Sequence, residues 1–174
     1  MSTFNQCSHL YTPEAINEAI GTYNSILLSG LDPLATMLSM QESLQIKLAR
    51  EKPTYNIDPK NLETCGDILT WMRNQDDYMA DETRELYTSL GGMSNGEKAA
   101  SSIWKPWKAQ HGEMFNKKFE DLSPEDQIEV KMEMIDQLHF FMNKLIALGM
   151  SSEDIFVYYY LKNAENFARQ NRGY

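Results

Sequence analysis

The sequence predicts an all-α fold, a helical bundle of about five to seven helices, and three observations carry that expectation. Four of the six prolines follow a capping residue, in Thr12-Pro13, Asp32-Pro33, Asp58-Pro59 and Ser123-Pro124. Pro favours the first helical position, and Ser, Thr and Asp favour the cap before it. Apolar residues between these starts recur at the 3.6-residue period of a helix. No stretch alternates apolar and polar residues between turn signals as a strand would.

The elements follow in order. The first helix is expected from about Thr12 to Leu28, stopped at Gly30, and the second from Asp32 to about Glu51, stopped by Pro53. A third segment starts near Asp58 and ends at Gly91-Gly92, with Gly66 a break near its start. In it Ile68, Met72, Met79, Leu86 and Leu90 share an apolar stripe, and Glu82 falls inside that stripe. Residues 91–103 read as a loop, partly helical towards its end, followed by Trp104-Lys105-Pro106-Trp107-Lys108. The strongest helix runs from Pro124 to about Leu148. Ser123 with Asp126 three residues on is close to a capping box. Its apolar row is Ile128, Met132, Ile135, Phe141, Met142, Leu145 and Ile146, with Glu129, Glu133 and Asp136 on an adjoining strip. Gly149 ends it. The last helix is expected from near Ser152 to about Arg169, leaving Gly173-Tyr174 as a tail.

At 174 residues the chain is expected to form one domain, residues 1–174, with a substantial core. Its formal net charge of −9 argues against general binding to nucleic acid or to an anionic membrane. One small phosphorylated substrate, held through a metal and a few local cations, stays compatible with that charge. The two cysteines, Cys7 and Cys65, make neither a disulfide framework nor a CxxC motif, as suits a reducing cytosol. No secretory segment and no membrane span is expected.

The chemistry is concentrated in two acid pairs. Glu82-Thr83-Arg84-Glu85 and Glu133-Met134-Ile135-Asp136 each set two carboxylates three apart, on one face of a helix. A single such pair decorates many solvated helices. Here Glu82 interrupts an apolar row, and the second pair recurs on another amphipathic helix. Packed face to face, the two helices would converge four carboxylates on one point. Unpaired buried charge is very costly, and a hard divalent cation with oxygen ligands neutralises it most simply. The expectation is an inter-helix Mg²⁺ site, and Mg²⁺ suggests phosphate chemistry. Glu129 is read as the solvated first turn of its helix rather than an outer member of the site.

Other clusters read both ways. Tyr159, Lys162, Asn163, Asn166, Arg169 and Gln170 form one polar, partly basic strip that suits phosphate and hydroxyl contacts, or a solvated face with cations near a helix C-terminus. Lys105 and Lys108 could meet phosphate, while Trp104 and Trp107 read as an apolar plug that anchors the loop. His9, His111 and His139 lack ligand spacing. His139 could bond Asp136 one turn back, but reads more simply as a satisfied core histidine. There is no phosphate-binding glycine loop and no GxSxG motif.

The tail, Lys162-Asn163 with Asn166, Arg169-Gln170 and Gly173-Tyr174, resembles the closing motif of the all-α dimeric dUTPase family. Glu82xxGlu85 and Glu133xxAsp136-Gln-Leu-His-Phe140 resemble its two metal motifs. The wider group is the all-α NTP pyrophosphatases, including the MazG-type enzymes. The likeness is stronger still to the bacteriophage branch that acts on dCTP and dUTP, through Leu62-Glu-Thr64, Thr88-Ser-Leu-Gly91, Trp104-Lys-Pro-Trp-Lys-Ala109, Ser123-Pro-Glu-Asp-Gln127 and Tyr159-Tyr-Leu-Lys-Asn163.

The resemblance implies a Mg²⁺-dependent homodimer in the cytoplasm of an infected host cell. It would hydrolyse dCTP and dUTP, and also the diphosphates dCDP and dUDP, to dCMP and dUMP. That would clear dCTP from the pool and supply pyrimidine monophosphates during phage DNA synthesis, in company with a nucleotide-synthesis enzyme complex. Glu82, Glu85, Glu133 and Asp136 would be metal ligands, with Glu82 and above all Glu85 catalytic through the attacking water. Lys162, Asn163, Asn166 and Arg169 would contact sugar or phosphates, Lys105 and Lys108 would stabilise leaving phosphate charge, and Tyr174 would close the site. Gln41-Glu-Ser-Leu-Gln45 stands where the relatives carry a base-recognition element, with Gln45 in place of an expected Asn. Rotatable amides at Gln41 and Gln45 would suit either pyrimidine. The alternatives are a broader housecleaning dNTP pyrophosphatase and a non-catalytic nucleotide-binding or adaptor protein, against which the intact acid quartet argues.

Overall fold

Every cap–proline dipeptide opens helical structure in the computed structural model, which describes residues 10–53, 56–92, 107 and 109–173. Before α1 (Pro13–Leu28) the Thr12 hydroxyl accepts from Ala15 N–H at 3.2 Å. Before α2 (Pro33–Glu51) Asp32 accepts from Leu34 N–H at 2.9 Å. Asp58 caps a single 3-10 turn, Pro59–Asn61. The remaining helices are α3 (Cys65–Leu90), α4 (Ala109–Asn116), α5 (Pro124–Ala147) and α6 (Ser152–Arg172). The described residues thus form an all-α structure of six helices with no strand.

The caps also explain the boundaries. Ser123 Oγ accepts from Asp126 N–H at 3.0 Å at the head of α5. A reciprocal capping box of Ser151 and Asp154 opens α6 and satisfies two backbone donors at once. At the end of α5, Gly149 takes φ 67°, which a residue with a Cβ adopts only at a cost. That turn lets Met150 N–H reach Leu145 O and Gly149 N–H reach Ile146 O, so orphan carbonyls are met.

The structure corrects several sequence expectations. The third helix begins at Cys65, not near Asp58. Its cap is Thr64, whose hydroxyl accepts from Asp67 N–H at 3.1 Å while Asp67 accepts from Thr64 N–H at 3.0 Å. Gly66 therefore sits in a first turn, not at a break. The helix α4 was not anticipated. Trp107 is exposed, so it does not plug the loop. Trp104, Lys105, Lys108, Tyr174, Cys7 and His9 lie outside the described residues, as does most of the expected 91–103 loop.

The chain divides into two compact units. One comprises the described residues of Met1–Thr22 and Met72–Phe141, the other those of Tyr23–Trp71 and Met142–Tyr174. In the first unit α3 meets α5. Tyr78 and Phe140 rings lie 5.2 Å apart, and Thr83 Oγ1 donates to Gln137 Oε1 at 3.3 Å. Rising numbers on α3 pair with falling numbers on α5, so the two run antiparallel there. Leu86 and Leu122 are buried in this unit. In the second unit Leu38, Trp71, Met142 and Ile146 are buried, each worth about 1.5–3 kcal/mol of apolar transfer, and α2 lies against α6 and the Pro59–Asn61 turn.

On α5 the expected apolar row is only partly inward. Ile135 and Phe141 are nearly half exposed, while Glu129 and Glu133 are buried. Glu129 is therefore not a solvated first-turn residue: the acidic strip takes the inward positions of the helix's N-terminal half.

Candidate metal centre

Glu82 projects from α3, and Glu133 and Asp136 from α5. One carboxylate oxygen from each lies within 4.8 Å of those of the other two. Glu133 is 7% exposed; Glu82 and Asp136 are half-buried. The spacing that sets Glu133 and Asp136 on one face and the antiparallel approach of α3 together bring two sequence-distant motifs to one point. Glu85, the fourth predicted ligand, is half-buried one turn along α3 and is not in this close trio.

The electrostatics record the crowding. Burial, then a hydrogen bond with Glu82, then the charges of Glu85, Glu82 and Asp136 push the Glu133 carboxyl up to about 8. Glu82 is raised by burial and by Glu85, Asp136 and Asp81, although its hydrogen bond with Glu133 pulls the other way. Burial, followed by Asp81 and Asp136, raises Glu85. Two neighbouring carboxylates that cannot both ionise share a proton. The second oxygen of Glu133 is buried and meets no donor. An orphaned acceptor among converging carboxylates is what a hard divalent cation with oxygen ligands would satisfy, so the residues present fit such an ion.

The surroundings add residues the sequence reading missed. Gln137, one turn after Glu133, accepts from Thr83 while its own Nε2 is buried without a partner. His139 Nδ1 lies 3.4 Å from Asp136 Oδ1 and is exposed, so it is a surface companion of Asp136 and not a core histidine. Asp81 pairs with Arg84.

The other predicted residues fall in the second unit. Gln41 and Gln45 are both buried on α2, and Gln41 Nε2 donates to Asn143 Oδ1 at 2.8 Å. Asn143 was also missed. A polar residue inside the run Phe140-Phe141-Met142-Asn143-Lys144-Leu145-Ile146 was the available signal. On α6, Asn163, Asn166, Arg169 and Gln170 line a cavity of about 420 Å³ with Phe167. Lys162, Asn163 and Asn166 are exposed. Arg169 Nε donates to Glu165 Oε1 at 3.0 Å and Arg172 shares the same oxygen at 2.7 Å, so an incoming phosphate would compete with Glu165 for Arg169. A separate, mostly apolar cavity of about 590 Å³ lies against Tyr87, Met114, Phe115 and Phe119 and holds none of the predicted residues.

Comparison with known proteins supplies close relatives. Over all 174 residues, and the whole of each relative, the chain is 63% identical to a dCTP pyrophosphatase of Enterobacteria phage LZ5 and 50% identical to a dCTP pyrophosphatase of Enterobacteria phage T4. It is also 50% identical over 163 residues to a DNA replication protein of phage T4, covering 94% of this chain and 41% of that one. No family model and no solved structure matches the chain.

Proposed function

This chain belongs to the phage dCTP pyrophosphatase family, and we propose that it hydrolyses dCTP to dCMP and pyrophosphate with Mg²⁺ as cofactor, and dUTP to dUMP as a second substrate. The observation that carries the reading is the convergence of Glu82, Glu133 and Asp136 from two antiparallel helices, with Glu133 buried and its carboxyl pushed up to about 8 by burial and by its acidic neighbours. When bound, Mg²⁺ supplies a counter-charge for the triphosphate and acidifies the attacking water.

The chain's own residues supply the rest. Glu82, Glu133 and Asp136 hold the ion, and Glu85 joins them or orients and deprotonates the water. A carboxyl held above its ordinary range is better matched to taking a proton near neutral pH. Gln41 and Gln45 read the base. Lys162, Asn163, Asn166 and Arg169 contact sugar and phosphates, Arg169 by exchanging Glu165 for a phosphate oxygen. Lys105 and Lys108 stabilise leaving phosphate charge, and Tyr174 closes the site.

The enzyme works as a homodimer in the cytoplasm of the infected cell. Supporting the dimer, α1 and α6 bury no residue, and Phe156, Tyr158, Tyr159, Tyr160, Leu161 and Phe167 of α6 are all exposed. Large apolar side chains exposed together along one helix mark an association surface. No helix among the described residues is long and apolar enough to cross a membrane. The deciding experiment is pyrophosphate release from dCTP by wild type and Glu133→Gln. Mg²⁺-dependent release, lost in the variant with the fold intact by circular dichroism, supports the reading. Equal release by the variant contradicts it.

A further inference from the structure

Among the described residues, two buried side-chain atoms that meet no hydrogen-bond partner are complementary: Glu133 Oε2 accepts and Gln137 Nε2 donates. The two residues stand four apart on α5, on one face of the helix. Glu133 meets Glu82 of α3 and Gln137 meets Thr83 of α3, so that face is the one turned to α3. Neither orphaned atom bonds the other. Buried polar groups in native structures are almost always paired, and an unpaired donor one turn from converging carboxylates is placed to serve them.

The direction of the Gln137 amide follows from charge. Its Oε1 lies 3.3 Å from Thr83 Oγ1, whose single hydrogen also reaches Met79 O at 2.7 Å, so Thr83 tolerates the amide either way round. The acidic trio does not. Turned over, the amide would set Oε1 towards Glu82, Glu133 and Asp136, acceptor against acceptors, whereas Nε2 brings hydrogen to them. Mg²⁺ is small and demands near-octahedral geometry, which suits one oxygen per carboxylate. With one Glu133 oxygen on the ion, the other is a buried anionic acceptor, and a charge-assisted bond from Gln137 meets it. Hydrogen bonds of this kind hold ligating carboxylates in their orientation.

We propose that Gln137 is a positioning residue of the metal centre: its amide donates to the Glu133 oxygen that the cation leaves, and holds that carboxylate in place for the ion. This inference rests on the proposed reading of Glu82, Glu133 and Asp136 as a Mg²⁺ site. Gln137 touches neither the ion nor the substrate, so it acts on ion affinity and not on the chemical step. Losing a partner of this kind lowers metal affinity by about ten- to a hundredfold.

The test is calorimetric Mg²⁺ affinity, without nucleotide, for wild type and Gln137→Met, with Tm measured in EDTA. Met fills a similar volume without the amide and leaves the Thr83 hydroxyl on Met79 O. Mg²⁺ affinity falls by about tenfold or more. Tm in EDTA holds or rises, because an unpaired buried donor is removed, and kcat on dCTP recovers at saturating Mg²⁺. A purely structural role gives the opposite pattern, a lower Tm in EDTA with unchanged affinity, and overturns the inference. A kcat that stays low at saturating Mg²⁺ overturns it too, by setting Gln137 against the attacking water or the substrate. Where Gln137→Met loses helix content, Gln137→Leu is measured in its place, and failure of both to fold overturns the inference. Equal affinity in wild type and variant overturns this inference and leaves the proposed metal centre standing. A wild type that binds no Mg²⁺ overturns both.

Discussion

A divalent cation at Glu82, Glu133 and Asp136 must displace the proton that burial and the neighbouring carboxylates hold on Glu133 up to about 8. At pH 7 roughly one molecule in ten has Glu133 ionised, so metal binding there is weaker by about tenfold, or about 1.4 kcal/mol, than at pH 9. Calorimetric titration with Mg²⁺ from about pH 6.5 to 9 reads this directly. Log affinity should rise by about one per pH unit up to near 8 and then level off, with close to one proton released per ion bound. Glu133→Gln should flatten the slope, reduce the proton release and leave only weak binding. The metal-free protein has a matching signature. Because the folded value lies above the ordinary 4.5, this group's stabilising contribution is complete below about pH 4.5 and is lost as pH rises through about 8. The ideal loss approaches 5 kcal/mol, and solvent screening at a partly open site reduces it to about 2 kcal/mol. Denaturant melts should show metal-free wild type losing about 2 kcal/mol more between about pH 5 and 9 than Glu133→Gln loses, the remainder coming from the raised Glu82 and Glu85. A metal affinity independent of pH between 6.5 and 8 would refute the reasoning.

Other expectations follow from the same geometry. Glu82→Gln and Asp136→Asn should each lower kcat/KM for dCTP by about a hundredfold or more and weaken Mg²⁺ binding in calorimetry, with little change in helix content. Gln45→Asn, which shortens one of the two buried amides on α2, should change the dCTP/dUTP ratio of kcat/KM. Arg169→Ala should raise KM for dCTP about tenfold, while its melting temperature falls only slightly, because the pair with Glu165 is surface-exposed and worth under about 1 kcal/mol. Ser151→Ala removes the α6 capping box and should cost about 1 kcal/mol, read as a drop of about 2–4 °C in Tm.

What the sequence made legible was local. Cap–proline dipeptides and the glycine after α5 report their own backbone conformation, so the boundaries of α1, α2, α5 and α6 fell within a few residues of those expected. Thr64-Cys-Gly-Asp67 carries the same kind of signal without a proline, and was passed over in favour of Asp58-Pro59, which caps only one turn. The acid pairs were legible because i, i+3 spacing is a helical property and because charge inside an apolar row demands a reason. Their meeting depends on how α3 and α5 pack, which periodicity does not encode: Glu82, Glu133 and Asp136 converge, and Glu85 stands one turn along α3. Glu129, Gln137 and Asn143 were misread or missed for a related reason. Each is polar and ordinary in sequence, and only burial among particular neighbours gives it weight. Phe141 and Ile135 mark the opposite case, apolar residues placed inward by pattern that the chain leaves exposed.

The most direct test of the account is pyrophosphate release across a panel of deoxy- and ribonucleoside triphosphates, with Mg²⁺ and with EDTA. The account predicts release from dCTP and dUTP that EDTA abolishes. Release that persists in EDTA, or no release from dCTP with Mg²⁺ present, would contradict it.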